Sequence, residues 1–388
     1  MRTYERTHPW ISFGIDLGPA SPELWLLLGE AQSKCEHIAG VPRKPAQHEH
    51  FNQVFLAKGV LATTAIEGNT LSEEEVLAHL QGRLTLPPSK QYLAREIDNV
   101  VRAVNEIWSD ESGRFGRLSP DIIAHFNRTV LHGLTLEPGV KPGRVREHAV
   151  GVGRYPGAPA EDCEYLLGRL CDWLASRDFE PRPGQGLATA VLKAVIAHLY
   201  LAWIHPFGDG NGRTARLAEF QILAQAGAPM PCAHLLSNHY NATRTEYYRQ
   251  LDQAHRSGGD VLPFLLYAVR GLVDGLREQV DLIRGEQWSA AWRDFVQERF
   301  LDKRTAGDLR RLHLVLDLSN TAGPVPRGKL AEISARVARE YARKTPKTLT
   351  RDLNQLRDMD LVTSGPKGYE AHRSLMLAFM PLRKRTST

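Results

Sequence analysis

Along most of this 388-residue chain, apolar positions recur three and four residues apart, the spacing of helices with one buried face. The pattern predicts a helix from Pro22 to Ala39, ended by Gly40 and Pro42, and a second over Phe51 to Ala65. Ser72 reads as an N-cap, because Glu73, Glu74 and Glu75 suit the positive first turn that follows it. Gln91 to Trp108 repeats the period through Ile97, Val101, Val104 and Trp108. Ser119-Pro120 starts another helix, with Ser as the cap and Pro at the first position. Leu187 to Ile204 is apolar at Val191, Val195, Leu199 and Ala202 and reads as buried, with His198 as a satisfied core histidine. Leu217 to Ala224 resumes the pattern until Gly227 and Pro229 stop it. Glu137 to Ala160 breaks the rule: Gly and Pro punctuate it around a short strand-like "HAVGVG", which predicts an exposed loop or β-hairpin flap.

A second interruption carries chemistry. "HPFGDGNGRTAR" (His205 to Arg216) separates two buried helices. A Gly-rich turn opening a helix presents unpaired N–H groups at the positive end of the helix dipole, which makes an anion site, most often for phosphate. Arg213 and Arg216, three apart, share a face of that first turn, and Asp209 is placed to hold a divalent cation. Other phosphate and cation motifs fit less well. No Gly-Lys-Ser/Thr follows, so this is not a Walker A loop, and Phe220 occupies the position where a calcium loop needs a twelfth oxygen ligand.

Taken together, the twelve residues resemble the signature of the Fic family, H-x-F-x-[DE]-G-N-G-R-x-x-R, at every fixed position: His205, Phe207, Asp209, Gly210, Asn211, Gly212, Arg213 and Arg216. The resemblance covers roughly residues 20 to 275. It implies a mainly α Fic-type helical core with a short β-hairpin flap, and transfer of AMP from ATP to a Ser, Thr or Tyr hydroxyl of a target protein. It makes His205 the general base and Asp209 the Mg²⁺ ligand. Gly210, Asn211 and Gly212 would hold the phosphates, Arg213 would contact them, and Arg216 would clamp the γ-phosphate. Relatives that transfer phosphate depart at the second glycine of G-N-G, so Gly212 favours nucleotidyl transfer. The residues suit this chemistry, since phosphoryl-type transfer needs positioning, charge neutralisation and a base near the incoming hydroxyl.

Three further segments resemble parts of the same family. "TTAIEGN" matches its inhibitory motif [ST]-x-x-x-E-[GN] through Thr63, Glu67 and Gly68, and four-residue spacing puts Thr63 and Glu67 on one helix face. The resemblance implies that Glu67 pairs with Arg216 and blocks the γ-phosphate site, or, in a de-AMPylating hydrolase, positions water for removal of AMP. Val150, Gly151, Val152 and Gly153 fall at the flap that docks a target segment by strand addition. Tyr247 and Tyr248 fall on the helix lining the adenine pocket, with His255 where some relatives have Asn.

Charge separates the C-terminal part from the rest. From Lys303 onward there are 18 Lys and Arg against 8 Asp and Glu, a balance of +10, while the first 302 residues carry −5. Helices over Leu309–Leu318, Lys329–Val337 and Pro346–Asp358, then two short strands around Gly-Pro-Lys-Gly, predict a winged-helix domain. Its Lys347, Thr348, Arg351 and Asn354 would face a DNA major groove, although winged helices also dock proteins. The expected organisation is an N-terminal helical region with the inhibitory helix (1–112), a catalytic core (113–285), and a linker helix with the winged-helix domain (286–388). Hydrophobic content of 42% and charged content of 24% suit a globular chain. Four cysteines without a C-x-x-C pair, and no secretory signal pattern, point to the cytoplasm. The expected co-substrate is ATP, with Mg²⁺. The expected partner is a protein with an exposed hydroxyl, including the chain itself, and no membrane; a homodimer is compatible with the sequence but not specified by it. The rival of another class is a nucleotide-sensing DNA-binding regulator, which would not need His205 as a base.

Overall fold

The computed structural model describes residues 1–42, 45–152 and 155–376. The fold is mainly helical. In chain order its helices are α1 (Thr3–Thr7), α2 (Pro22–Gly40), α3 (Pro45–Ala65), α4 (Glu73–Leu80), α5 (Gln91–Trp108), α6 (Pro120–Val130), α7 (Cys163–Leu174), α8 (Gly186–Ile204) and α9 (Asn211–Gln225). There follow α10 (Met230–Ala233), α11 (Leu235–Ala242), α12 (Arg244–Arg256), α13 (Leu262–Arg299), α14 (Ala306–Leu318), α15 (Ala335–Tyr341) and α16 (Pro346–Asp358). Two antiparallel hairpins complete the fold: β1 (Gly151–Val152) with β2 (Tyr155–Pro156), and β3 (Val362–Gly365) with β4 (Gly368–Ala371). The chain divides into two compact units, Met1–Val280 and Asp281–Thr388.

In the first unit α8 is the central element. It packs against α2, α7 and α9, and Val191, Val195, Leu199 and Ile204 are all but fully buried. By length and apolarity Gly186–Ile204 could cross a membrane, yet 78% of it is buried inside the protein, as a core helix would be. The caps form as their residue types dictate. Ser72 accepts from the Glu75 N–H while Glu75 reaches back to the Ser72 N–H, and Ser119 accepts from Ile122 N.

Three expectations change. α3 starts at Pro45 rather than Phe51. It ends at Ala65, so Glu67 is not on a helix face but in the turn that closes the helix. There Asn69 N–H reaches Thr64 O and Gly68 N–H reaches Ala65 O, with Gly68 at φ +106°, a Schellman closure that favours glycine. The helix predicted over Lys329–Val337 is two pieces, a 3₁₀ turn at Arg327–Glu332 and α15. Ser334 divides them by capping Val337 N–H and bonding Asp317.

The second unit has its own core of Trp292, Val296, Leu314, Val315, Leu330, Val337, Leu353 and Leu356. β3 pairs with β4 from Val362↔Ala371 to Gly365↔Gly368, and Val325 adds a bridge to Tyr369.

Candidate active site

The site lies where α8 ends and α9 begins. His205 caps α8 in the left-handed region (φ 50°, ψ 59°), uncommon for a residue with a Cβ. Its N–H bonds Leu201 O, and its carbonyl accepts from Arg146 Nε at 2.8 Å. Burial pushes the His205 ring down to about pKa 4, against a smaller upward pull from the Ala202 carbonyl, so the ring is neutral at pH 7. Gly210, at φ +75°, then turns the chain into α9. A Cβ there would press on Asn127 Nδ2 and Leu131, at 3.0 and 3.1 Å.

The loop between them is tied from inside. Asn211 accepts from Phe207 N–H (2.9 Å) and donates to Phe207 O (2.8 Å). Its side chain, expected to hold phosphate, here closes the loop on itself. Phe207 is buried in the core. Asn127 donates to Asp209 O at 2.8 Å and accepts from Gly143 N–H at 2.9 Å. Arg213 lies between Glu96 (3.1 Å) and Asp209 (3.4 Å). The Asp209 carboxylate is half exposed, which leaves it open to an incoming cation.

Arg216 and Glu67 meet directly. Arg216 Nη2 is 2.5 Å from Glu67 Oε1 and donates to Thr63 O at 3.0 Å. The Arg216 side chain is 1% exposed and that of Glu67 32%. Burial opposes both charges, but the pair outweighs it: Glu67 is held below the usual carboxylate range and Arg216 is raised. The carboxylate also sits directly over Gly212. A Cβ at that position would overlap Glu67 Oε1 and lie 3.1 Å from Arg216 Nη1. The carboxylate therefore occupies the space above the first turn of α9, where an anion would otherwise meet the helix N–H groups.

The flap stands beside this loop. β1 and β2 pair through Gly151↔Pro156 and Val152↔Tyr155, while Val150 O accepts from Gly157 N–H. Gly153 lies outside the described residues. Arg146 fastens the flap by donating to Ala158 O and His148 O as well as to His205 O. A cavity of about 270 Å³ next to Gly208 is lined by Lys141, Arg144, Arg146 and His148.

The two tyrosines part company. Tyr247 is 3% exposed, with its hydroxyl 2.8 Å from His198 Nε2. His198 Nδ1 lies 3.2 Å from Glu219, which accepts from Tyr240 at 2.9 Å. Tyr248 is 47% exposed and is the one of the two open to a ligand. Sequence reasoning missed Glu96, Asn127, Arg146 and Glu219, because none belongs to a local motif. Glu96 has the clearest structural link, since it also accepts from Asn69 at 2.9 Å and so joins the Glu67 turn to Arg213. Lys347, Thr348, Arg351 and Asn354 lie in the second unit, on α16.

Residues 117–223, which hold the His205 loop, match the sequence profile of the Fic/DOC family. The chain is 31% identical over 245 residues to protein adenylyltransferase Fic of Nematostella vectensis, covering 63% of this chain and 53% of that protein. It is 33% identical over 217 residues to protein adenylyltransferase fic-1 of Caenorhabditis elegans, covering 54% and 38%. The chain thus spans about half the length, or less, of these curated relatives. Among solved structures, a Fic family protein from Desulfovibrio desulfuricans G20 superposes with a TM-score of 0.56 at 21% identity, over 92% of this chain and 98% of that one. Fic-1 (residues 134–508) of C. elegans does so with a TM-score of 0.53 at 27% identity, over 68% and 73%. The chain therefore carries a Fic/DOC family domain, built around the loop from His205 to Arg216.

Proposed function

We propose that this chain is a protein adenylyltransferase that moves AMP from ATP to a protein hydroxyl and is restrained by its own Glu67. The observation that carries the reading is the Glu67–Arg216 pair over Gly212, a carboxylate seated where the helix N-terminus and a buried arginine would receive phosphate. The names of the relatives support the same chemistry.

In this reaction the target hydroxyl gives its proton to the neutral His205 ring as its oxygen attacks the α-phosphorus of ATP. The bond to the β-phosphate oxygen breaks, and pyrophosphate leaves. A base held neutral at pH 7 is ready to accept that proton. Arg213, Arg216 and the N–H groups at the start of α9 neutralise charge on the phosphates. Mg²⁺, when bound, would add to that neutralisation. Asp209 is the residue that would hold it, since Mg²⁺ usually takes one or two carboxylates together with substrate phosphates. The donor set fits that mode, because no cluster of three or more His, Cys, Asp or Glu forms a closed metal cage among the described residues. The flap would present the target segment by strand addition beside His205. The four cysteines are buried and none is in a disulfide among the described residues, which agrees with a reducing, cytoplasmic setting.

Incubation with α-labelled ATP, Mg²⁺ and cell lysate tests the reading. Label should appear on protein, and His205→Ala should abolish it while ATP binding persists. Undiminished transfer by the purified variant would overturn the assignment of the base.

A further inference from the structure

We infer that the second unit is a duplex-DNA reader, with α16 as the helix that enters the major groove. The inference does not depend on the adenylyl-transfer reading. Within this unit α15, the turn at Ala342–Thr345 and α16 form a helix-turn-helix. α14 lies behind it and the β3–β4 hairpin follows. The hairpin gains a third edge where Val325 and Tyr369 exchange both N–H···O bonds, at 2.8 and 2.9 Å.

The rotation of α16 is fixed from within. Asp352 is 1% exposed. Its carboxylate accepts from Arg310 Nε (2.7 Å), Arg311 Nη1 (3.2 Å) and the Tyr341 hydroxyl (2.9 Å). Leu349, Leu353 and Leu356 are buried on the same side. What remains outward is Lys347, Arg351, Asn354, Gln355, Arg357 and Asp358, with Thr348 half-buried at the edge.

That outward face is basic along its first and middle turns, and its one exposed carboxylate, Asp358, stands at the C-terminal end of the helix. From Arg343 to Gln355 the only acid is Asp352, and it is buried. Among the described residues, Arg343, Lys344, Lys347, Arg351 and the hairpin-tip Lys367 make no ion pair, whereas Arg310, Arg311 and Arg336 are each paired. Five unpaired cations around one helix-turn-helix call for a polyanion.

Two observations choose duplex DNA over a protein partner. A protein-docking patch has an apolar, aromatic-rich centre. Among the described residues of this unit, the exposed large apolar ones are Leu282, Leu301, Leu309 and Leu375, and none is on α16 or its hairpin. Second, Arg351, Asn354 and Gln355 are the side-chain types that read guanine and adenine edges in the major groove.

Fluorescence anisotropy of the full chain with labelled duplexes of about 20 base pairs, drawn from a random pool, tests this. Neutralising five phosphates should cost several hundredfold in affinity between about 50 and 200 mM salt. Lys347→Ala with Arg351→Ala should weaken binding by about tenfold or more. Both residues are exposed, so thermal unfolding should be unchanged. Arg177→Ala with Arg182→Ala, exposed bases of the first unit, removes the same charge and should have no such effect. Absence of duplex binding at low salt, equal loss in the two double variants, or equal affinity for duplex, single-stranded DNA and heparin would overturn the proposal.

Discussion

Replacing Glu67 with Gly removes the carboxylate that occupies Arg216 and covers Gly212. Two effects of opposite sign follow. Arg216 becomes available to the phosphates, and a preorganised donor aimed at a transferring group is worth ~3 kcal/mol, or about 10²-fold in rate. At saturating ATP and Mg²⁺, label transfer from α-labelled ATP, self-modification included, should rise by about that factor. The unliganded protein should lose stability, because Arg216 is 1% exposed and is left without its anion. Breaking a fully buried pair costs about 3–5 kcal/mol. Glu67 keeps 32% of its side chain in solvent, so ~1–3 kcal/mol is the better expectation here. Tm should therefore fall by several degrees and recover when ATP and Mg²⁺ are added. Adding Arg216→Ala should cancel the gain in transfer. Gly212→Ala separates release from access: it also expels the carboxylate, yet its methyl fills the same space, so transfer should stay low. The reasoning is refuted if Glu67→Gly leaves transfer unchanged, or if Gly212→Ala activates as strongly. If the variant gains transfer while losing the ability to remove AMP from a modified target, Glu67 also positions water for the reverse reaction.

Three other predictions concern burial. The His205 ring, near pKa 4 against 6.5 when free, should keep transfer flat around neutral pH and let it fall only as acid approaches pH ~4; a single-turnover pH profile with its inflection near 6.5 would refute the burial argument. Because folding lowers that pKa, as it does for His234, the corresponding stability is present above pH ~6.5 and lost as pH falls toward ~4, measurable by thermal unfolding. In the second unit, Asp352→Ala strands Arg310, while Arg311 keeps Asp308, and should destabilise that unit by about 3 kcal/mol, read by denaturant unfolding; a loss below ~1 kcal/mol would mean the charges are solvated.

How much of this was legible depends on the range of each interaction. Ser72, Ser119-Pro120 and Pro346 act on their own first turns, and the helix starts read from them match the structure. α3 was read short. From Phe55 to Thr64 it buries residues on several sides, so no single apolar stripe marked its course. The Glu67 turn was misread as helix because a four-residue spacing looks the same whether or not the last residue is still helical; the Gly68 that closes it was the available signal. The loop's chemistry was legible because His205 to Arg216 are contiguous. Its supports were not. Glu96 is 117 residues from Arg213, Asn127 is 82 from Asp209, and Arg146 is 59 from His205. Each is an ordinary polar residue on a helix or loop until folding brings its partner to it.

The same physics bears on how the proposed restraint would be displaced. Glu67 and the Thr63 carbonyl engage only Nη2 of Arg216. Nη1 and Nε of that side chain, and Nε of Arg213, are buried with no hydrogen-bond partner among the described residues. Buried donors left in that condition cost free energy, and more when the group is charged. One carboxylate, seated over Gly212, cannot reach them all. A triphosphate brings several anionic oxygens and could satisfy donors that Glu67 leaves idle. The restraint proposed for Glu67 would thus rest on one short contact inside an otherwise under-satisfied site. Glu67 is held there by a Schellman turn, and Asn69 links that turn to Glu96, the partner of Arg213. Asn69 also donates to Leu93 O at 3.0 Å, so the turn keeps an anchor that does not depend on Arg213. Displacement of the proposed restraint would therefore be decided by the competition for Arg216 itself.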